Sequence, residues 1–176
     1  MARALERSGV RTIDRIDLSP NSGAAPLQEL AKQVLERAEQ VRSQAAAERI
    51  DLVGFSMGGL VSRYFIQRLG GSNLVRRFVS ISAPHRGTLT AFGLGHAGVR
   101  DMRPGSALLR ELDGADSAWG AVEVHSLWTP FDLMIVPATS SLLRDARSNQ
   151  AFPVPLHRYM LTDARVVARV VELLTA

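Results

Sequence analysis

Ile50-Asp51-Leu52-Val53-Gly54-Phe55-Ser56-Met57-Gly58-Gly59-Leu60-Val61 constrains this chain more than any other stretch. A short apolar run rich in branched residues stops at Gly54, and Ser56 follows two positions later. Two further glycines lead into Leu60 to Phe65, whose spacing is helical. The stretch therefore reads as a strand, a tight turn and a helix. In so tight a turn a Cβ at Gly54 or Gly58 is expected to collide with the neighbouring strand or helix. Ser56 is then forced into a strained conformation with its hydroxyl clear of the backbone. The helix that follows points free N–H groups and its positive dipole end at the same place. A Gly-x-Ser-x-Gly run between strand and helix has the pattern of a nucleophile elbow. The bland alternative is an ordinary glycine-rich turn with a surface serine.

The 176 residues suffice for one domain with a sizeable core, and 46% hydrophobic residues with mean hydropathy +0.04 describe a soluble globular chain. No apolar run approaches the ~20 residues needed to cross a bilayer, and the N-terminus has no signal-peptide pattern. As it stands, the chain is read as cytoplasmic, with export left open should a true start lie upstream. The absence of cysteine excludes disulfides, a thiol nucleophile and thiolate metal sites. The net charge of +4 comes mostly from dispersed arginines, many beside acids, and Lys32 is the only lysine. No basic stripe alternates with aromatics, which argues against nucleic-acid binding.

Met1 to Ser8 reads as a helix closed by Gly9, and Val10 to Ile16 alternates like a strand. A polar loop from Leu18 to Ala25 precedes a long helix starting at Pro26, with an apolar face from Leu27 to Val41. Strands are expected at Ile50–Phe55, Leu74–Ile81 and Ala121–Trp128. Ser82 to Ala118 is long, with one short helix near Ser106–Leu112; Leu142 to Phe152 is mixed. Ala164 to Leu174 closes the chain as a helix, with Val166, Val167, Val170, Val171 and Leu174 on one face. Strands alternating with helices imply an α/β fold, a mostly parallel central sheet with helices on both faces. No repeat or linker divides residues 1–176. In such sheets sites form at the carboxyl ends of strands, where the Ser56 turn lies.

A serine hydroxyl needs a base held in the correct tautomer. His157, in the proline-stiffened loop Phe152 to His157 before the last helix, is the best candidate. Its alternative is a surface loop histidine. His85 precedes any candidate acid and is read as shaping the cleft; His96 and His125 are read as structural. Asp132 follows the strand Ala121–Trp128 after a short turn and is the best acid; a turn or helix-cap aspartate is its alternative. Asp113, Asp116 and Asp163 rank below it, Asp163 as a helix-start acid.

Gly54 to Tyr64 resembles the elbow of α/β-hydrolase-fold lipases, particularly small bacterial triacylglycerol lipases. Pro84-His85-Arg86-Gly87-Thr88 is similar to a Pro-His-x-Gly-Thr run of that group, and Met102 to Leu109 resembles the segment flanking their acyl cleft. The resemblance covers most of the chain. It implies a Ser56–Asp132–His157 triad that hydrolyses carboxylic esters through an acyl-enzyme, without metal or organic cofactor, and Met57 N–H as an oxyanion donor. One departure stands out. The family's His-Gly oxyanion loop follows a strand upstream of the first helix, and this chain begins in that helix. The expectation is an N-terminally incomplete α/β-hydrolase fold, with Met1 an internal methionine of a longer protein.

The segment from about 86 to 118 is long and apolar enough to be a cleft wall or lid. Phe55, Leu89, Phe92, Met102 and Leu108 are the expected substrate contacts, and an apolar cleft favours acyl chains. The expected partner is a small ester or lipid substrate, with transient contact at a lipid interface; oligomeric state is left open. Alternatives are an amidase or acyltransferase on the same triad, or an impaired, non-catalytic fragment.

Overall fold

A computed structural model describes residues 1–20, 22–114 and 119–176. Helix α1 (Ala2–Arg7) ends at Ser8, and Gly9 follows with φ 93°. Helix α2 (Leu27–Gln44) starts after Pro26 and buries Leu27, Leu30, Ala31, Val34 and Ala38. Strand β1 (Ile50–Phe55) runs into α3 (Met57–Arg68), and β2 (Val75–Ile81) follows. A 3-10 turn (Leu89–Gly93), α4 (Ala97–Asp101) and α5 (Ala107–Asp113) occupy the long segment before β3 (Glu123–Trp128). The chain closes with β4 (Ser148–Ala151), a 3-10 turn (His157–Leu161) and α6 (Ala164–Thr175).

The four strands lie in the order β1-β2-β3-β4, each parallel to its neighbour. Alternation along the strands divides the core. Phe78 and Val124 face α2, α3 and α5, while Val79, Ile81 and Leu127 face α6. Both faces are thus covered, as a parallel sheet requires.

Four expectations are corrected. Val10 to Ile16 is not a strand: no neighbour in the described structure offers it a ladder, Thr12 and Ile16 are exposed, and Asp14 is held by Arg37 of α2. Strand β1 is accordingly an edge, half-buried along its length except at Gly54. The mixed stretch contains β4, whose Ser-Asn-Gln-Ala sequence has no apolar alternation; pairing with β3 makes it a strand. On α6 it is Leu173, with Val166 and Val170, that is buried, whereas Val167, Val171 and Leu174 are only partly covered. The long segment also holds α4 and a 3-10 turn beyond the expected α5.

Candidate active site

Ser56 links β1 to α3 with φ 53° and ψ −129°, a conformation disfavoured for any residue with a Cβ. Hydrogen bonds fix it there. Its N–H donates to the Ile81 carbonyl of β2 at 2.9 Å, and Gly59 N–H donates to the Ser56 carbonyl at 3.0 Å. A Cβ on Gly54 would stand 2.7 Å from Gly59 Cα, and one on Gly59 only 2.6 Å from Ala83 Cβ. Around Gly58 there is open space. The steric requirement expected at Gly58 thus belongs to Gly59, where α3 crosses the end of β2. Met57 opens α3, so its N–H has no acceptor within the helix.

Asp132 lies in the turn after β3, 5% exposed. Its Oδ1 accepts N–H bonds from Met134 and Ile135, both at 2.9 Å, leaving Oδ2 to pair with His157 Nδ1 at 2.8 Å. Burial alone would push the carboxyl up. The His157 hydrogen bond and the two backbone N–H groups outweigh it and hold the carboxyl below its usual value. The loop carrying His157 is anchored where Thr129 Oγ1 donates to the Val154 carbonyl at 2.6 Å. The imidazole stacks on Phe55, ring centroids 4.8 Å apart, next in sequence to Ser56. His157 Nε2 is buried and has no hydrogen-bond partner, Ser56 included. Asp132, His157 and Phe55 therefore meet at the carboxyl ends of β1 and β3, beside the Ser56 turn.

The other candidates divide. Leu89 and Phe92 are 54% and 59% exposed on the 3-10 turn after β2. Met102 is half-buried against the core, and its carbonyl accepts Thr88 N–H at 2.8 Å. Leu108 does not reach the cleft: it is 1% exposed and packs in the core with α2 and α3. Asp113 accepts from Arg63, and Asp163 caps α6 by accepting from Arg165 N–H. Asp116 lies outside the described residues. His125 sits in β3 between Ser148 and Glu123, and His96 precedes α4. His85 is wholly buried with Nε2 2.7 Å from Ser80 Oγ; burial, with Arg63 and Arg86 nearby, pushes its imidazole well below the usual value.

Arg63 escaped the sequence reading. From α3 it donates to the carbonyls of His85 and Leu112, tying the Ser56 helix to the loop after β2. A lone arginine in an apolar helix face carries no signal that it is buried. Among the described residues, no group of three or more His, Cys, Asp or Glu could hold a metal ion, and no helix is long and apolar enough to cross a membrane.

A parallel sheet covered on both faces, with a strained serine between strand and helix and a His–Asp pair at the strand ends, defines an α/β-hydrolase fold. Solved structures share it. Aspergillus fumigatus lipase B is 17% identical, with a TM-score of 0.83 over 99% of this chain and 48% of its own. A Bacillus licheniformis lipase in mature form is 14% identical (TM-score 0.67, 89% of this chain and 77% of its own). A Paleococcus ferrophilus monoacylglycerol lipase is also 14% identical, with a TM-score of 0.58 over 88% of this chain and 77% of its own. The chain spans about half the length of the Aspergillus enzyme. The model of the palmitoyl protein thioesterase family matches residues 6–117, and the chain belongs to that family. No curated protein matches the sequence.

Proposed function

We propose that this chain is a serine hydrolase of acyl esters, with Ser56 as nucleophile, His157 as base and Asp132 as the group that orients it. The observation that carries this reading is the 2.8 Å Asp132–His157 pair, whose imidazole packs on Phe55, next in sequence to Ser56, and whose Nε2 has no hydrogen-bond partner. Nδ1–H donates to the carboxylate, so Nε2 is left as the acceptor for the Ser56 proton. Ser56 Oγ attacks the acyl carbonyl, and Met57 N–H stabilises the resulting oxyanion. His157 then protonates the leaving group, and water attacks the acyl-enzyme by the same route in reverse. The apolar segment 86–114 is proposed as the acyl-side wall, with Leu89 and Phe92 its exposed contacts. Phe55 and Met102 are proposed to border the same acyl path. Eight of the nine exposed large hydrophobics of the described residues sit at 89–94, 131–134 and 156–159, an apolar rim suited to a lipid interface. The family match favours a second leaving group, the thiol of an S-acyl ester, on the same machinery.

The deciding experiment compares p-nitrophenyl butyrate, p-nitrophenyl palmitate and a palmitoyl thioester as substrates, beside Ser56→Ala. Turnover that falls ~10⁴-fold or more in the variant supports the nucleophile. The ratio of oxygen ester to thioester then fixes the leaving group. A folded parent that neither turns over nor reacts with a fluorophosphonate probe would sink the reading.

A further inference from the structure

The turn that presents Asp132 has little of its own to hold it. Leu133 and Met134 are 74% and 58% exposed, and only Ile135, 3% exposed, anchors it by packing. Yet the Asp132 carboxylate takes its orientation from the N–H groups of residues 134 and 135. Whatever fixes those peptides therefore fixes the His157 partner.

The fixing group lies 44 residues earlier in the chain. Thr88 is 3% exposed, and its hydroxyl both donates to the Met134 carbonyl and accepts from Val136 N–H, each at 2.9 Å. The proton and one lone pair of that hydroxyl are thus spent on the two sides of the turn. Thr90 Oγ1 adds a second bond to the Met134 carbonyl at 2.7 Å. Backbone bonds complete the seam: Leu89 N–H donates to the Val136 carbonyl, and Thr88 N–H to the Met102 carbonyl, both at 2.8 Å. Gly87, at φ 86°, makes this approach feasible, since a Cβ there would lie 2.5 Å from Pro104 N.

We propose that Thr88, assisted by Thr90, is the positioning residue for the Asp132–His157 pair, locking the acid turn to the loop after β2. The proposal rests on the triad reading above. Thr88 touches neither substrate nor imidazole; it acts by denying the turn its other conformations, and ångström-scale misplacement of a catalytic group costs up to about 100-fold.

The test is steady-state hydrolysis of p-nitrophenyl butyrate by Thr88→Val, Thr88→Ser, Thr90→Val and Asp132→Asn, with folding followed by circular dichroism. Thr88→Val should lower kcat about 10- to 100-fold with KM within about twofold, and Thr88→Ser should restore kcat to within about threefold of the parent. Thr90→Val, at an exposed position that does not threaten folding, should lower kcat about two- to fivefold by the same route. Rescue by serine separates the hydroxyl from the bulk of the side chain. If Thr88→Val does not fold, Thr90→Val decides, and an unchanged kcat there overturns the proposal. Equal impairment in Thr88→Ser and Thr88→Val, or a rise confined to KM, also overturns it. Asp132→Asn guards the premise, with an expected loss of about 10⁴-fold. An inactive Asp132→Asn beside unimpaired threonine variants defeats the positioning role alone. An active Asp132→Asn defeats the triad reading, and the proposal with it.

Discussion

Two of the three glycines around Ser56 are there for want of space, and the third is not. Gly54→Ala and Gly59→Ala each push a Cβ against backbone or a buried methyl group, and each should cost roughly 1–3 kcal/mol. Gly58→Ala meets nothing and lies in a helix, so it should be neutral or stabilising by about 0.5–1 kcal/mol. Urea titration of the three variants gives the ranking, and a Gly58→Ala as damaging as Gly59→Ala would refute it. His85 contributes to acid stability in a different way. Its imidazole titrates well below 6.5 in the folded chain, so below pH 6.5 the unfolded state takes up a proton that the native state refuses. Stability contributed by the neutral form is therefore present above pH 6.5 and lost as pH falls. The slope for this one proton approaches ~1.4 kcal/mol per pH unit. His85→Gln should be less stable than the parent at pH 8 but lose less between pH 6.5 and 5; parallel curves would remove His85 from the account.

At the scale of elements, the ends of helices are tied across long distances. Asp101 of α4 accepts the N–H of Leu27 at 2.9 Å, capping α2 from 74 residues away. Asp101→Ala should cost about 1 kcal/mol, a fall in Tm of roughly 2–4 °C. An unchanged Tm would show that water serves the Leu27 N–H equally well. The elements legible in the sequence were those whose periodicity matches their burial: α2, β1, α3, β2 and β3. Val10 to Ile16 has the alternation of a strand without a neighbour to pair with, and β4 has the neighbour without the alternation. Strandedness is a property of the pair, which a single segment does not encode. Likewise Asp132 and His157 could be picked from chain order and turn context, and their pairing follows from the fold. Thr88, Arg63 and the packing role of Leu108 could not, because each acts through contacts more than 20 residues away in the chain.

At the scale of the whole molecule, eight of the nine exposed large hydrophobics of the described residues fall in three loops. They line one end of the sheet, with Arg103 over Phe92 and Arg158 over Tyr159, both 5.1 Å from the ring centroid. Leu94→Asp combined with Leu133→Asp should lower hydrolysis of emulsified long-chain esters at least tenfold while sparing p-nitrophenyl butyrate. Equal loss on both substrates would place these residues in the chemistry instead of at the interface. The order of the strands in the sheet is also their order in the chain. During synthesis each strand can therefore dock on one already made, always on the same side. On the triad proposed above, Ser56 is in place first, Asp132 arrives with the turn after β3, and His157 follows β4. A nascent chain on the ribosome is thus expected to carry a silent serine until residue 157 has cleared the exit tunnel. Probing stalled chains of increasing length with a fluorophosphonate would time that moment, and labelling of shorter chains would show that Ser56 is reactive without its base.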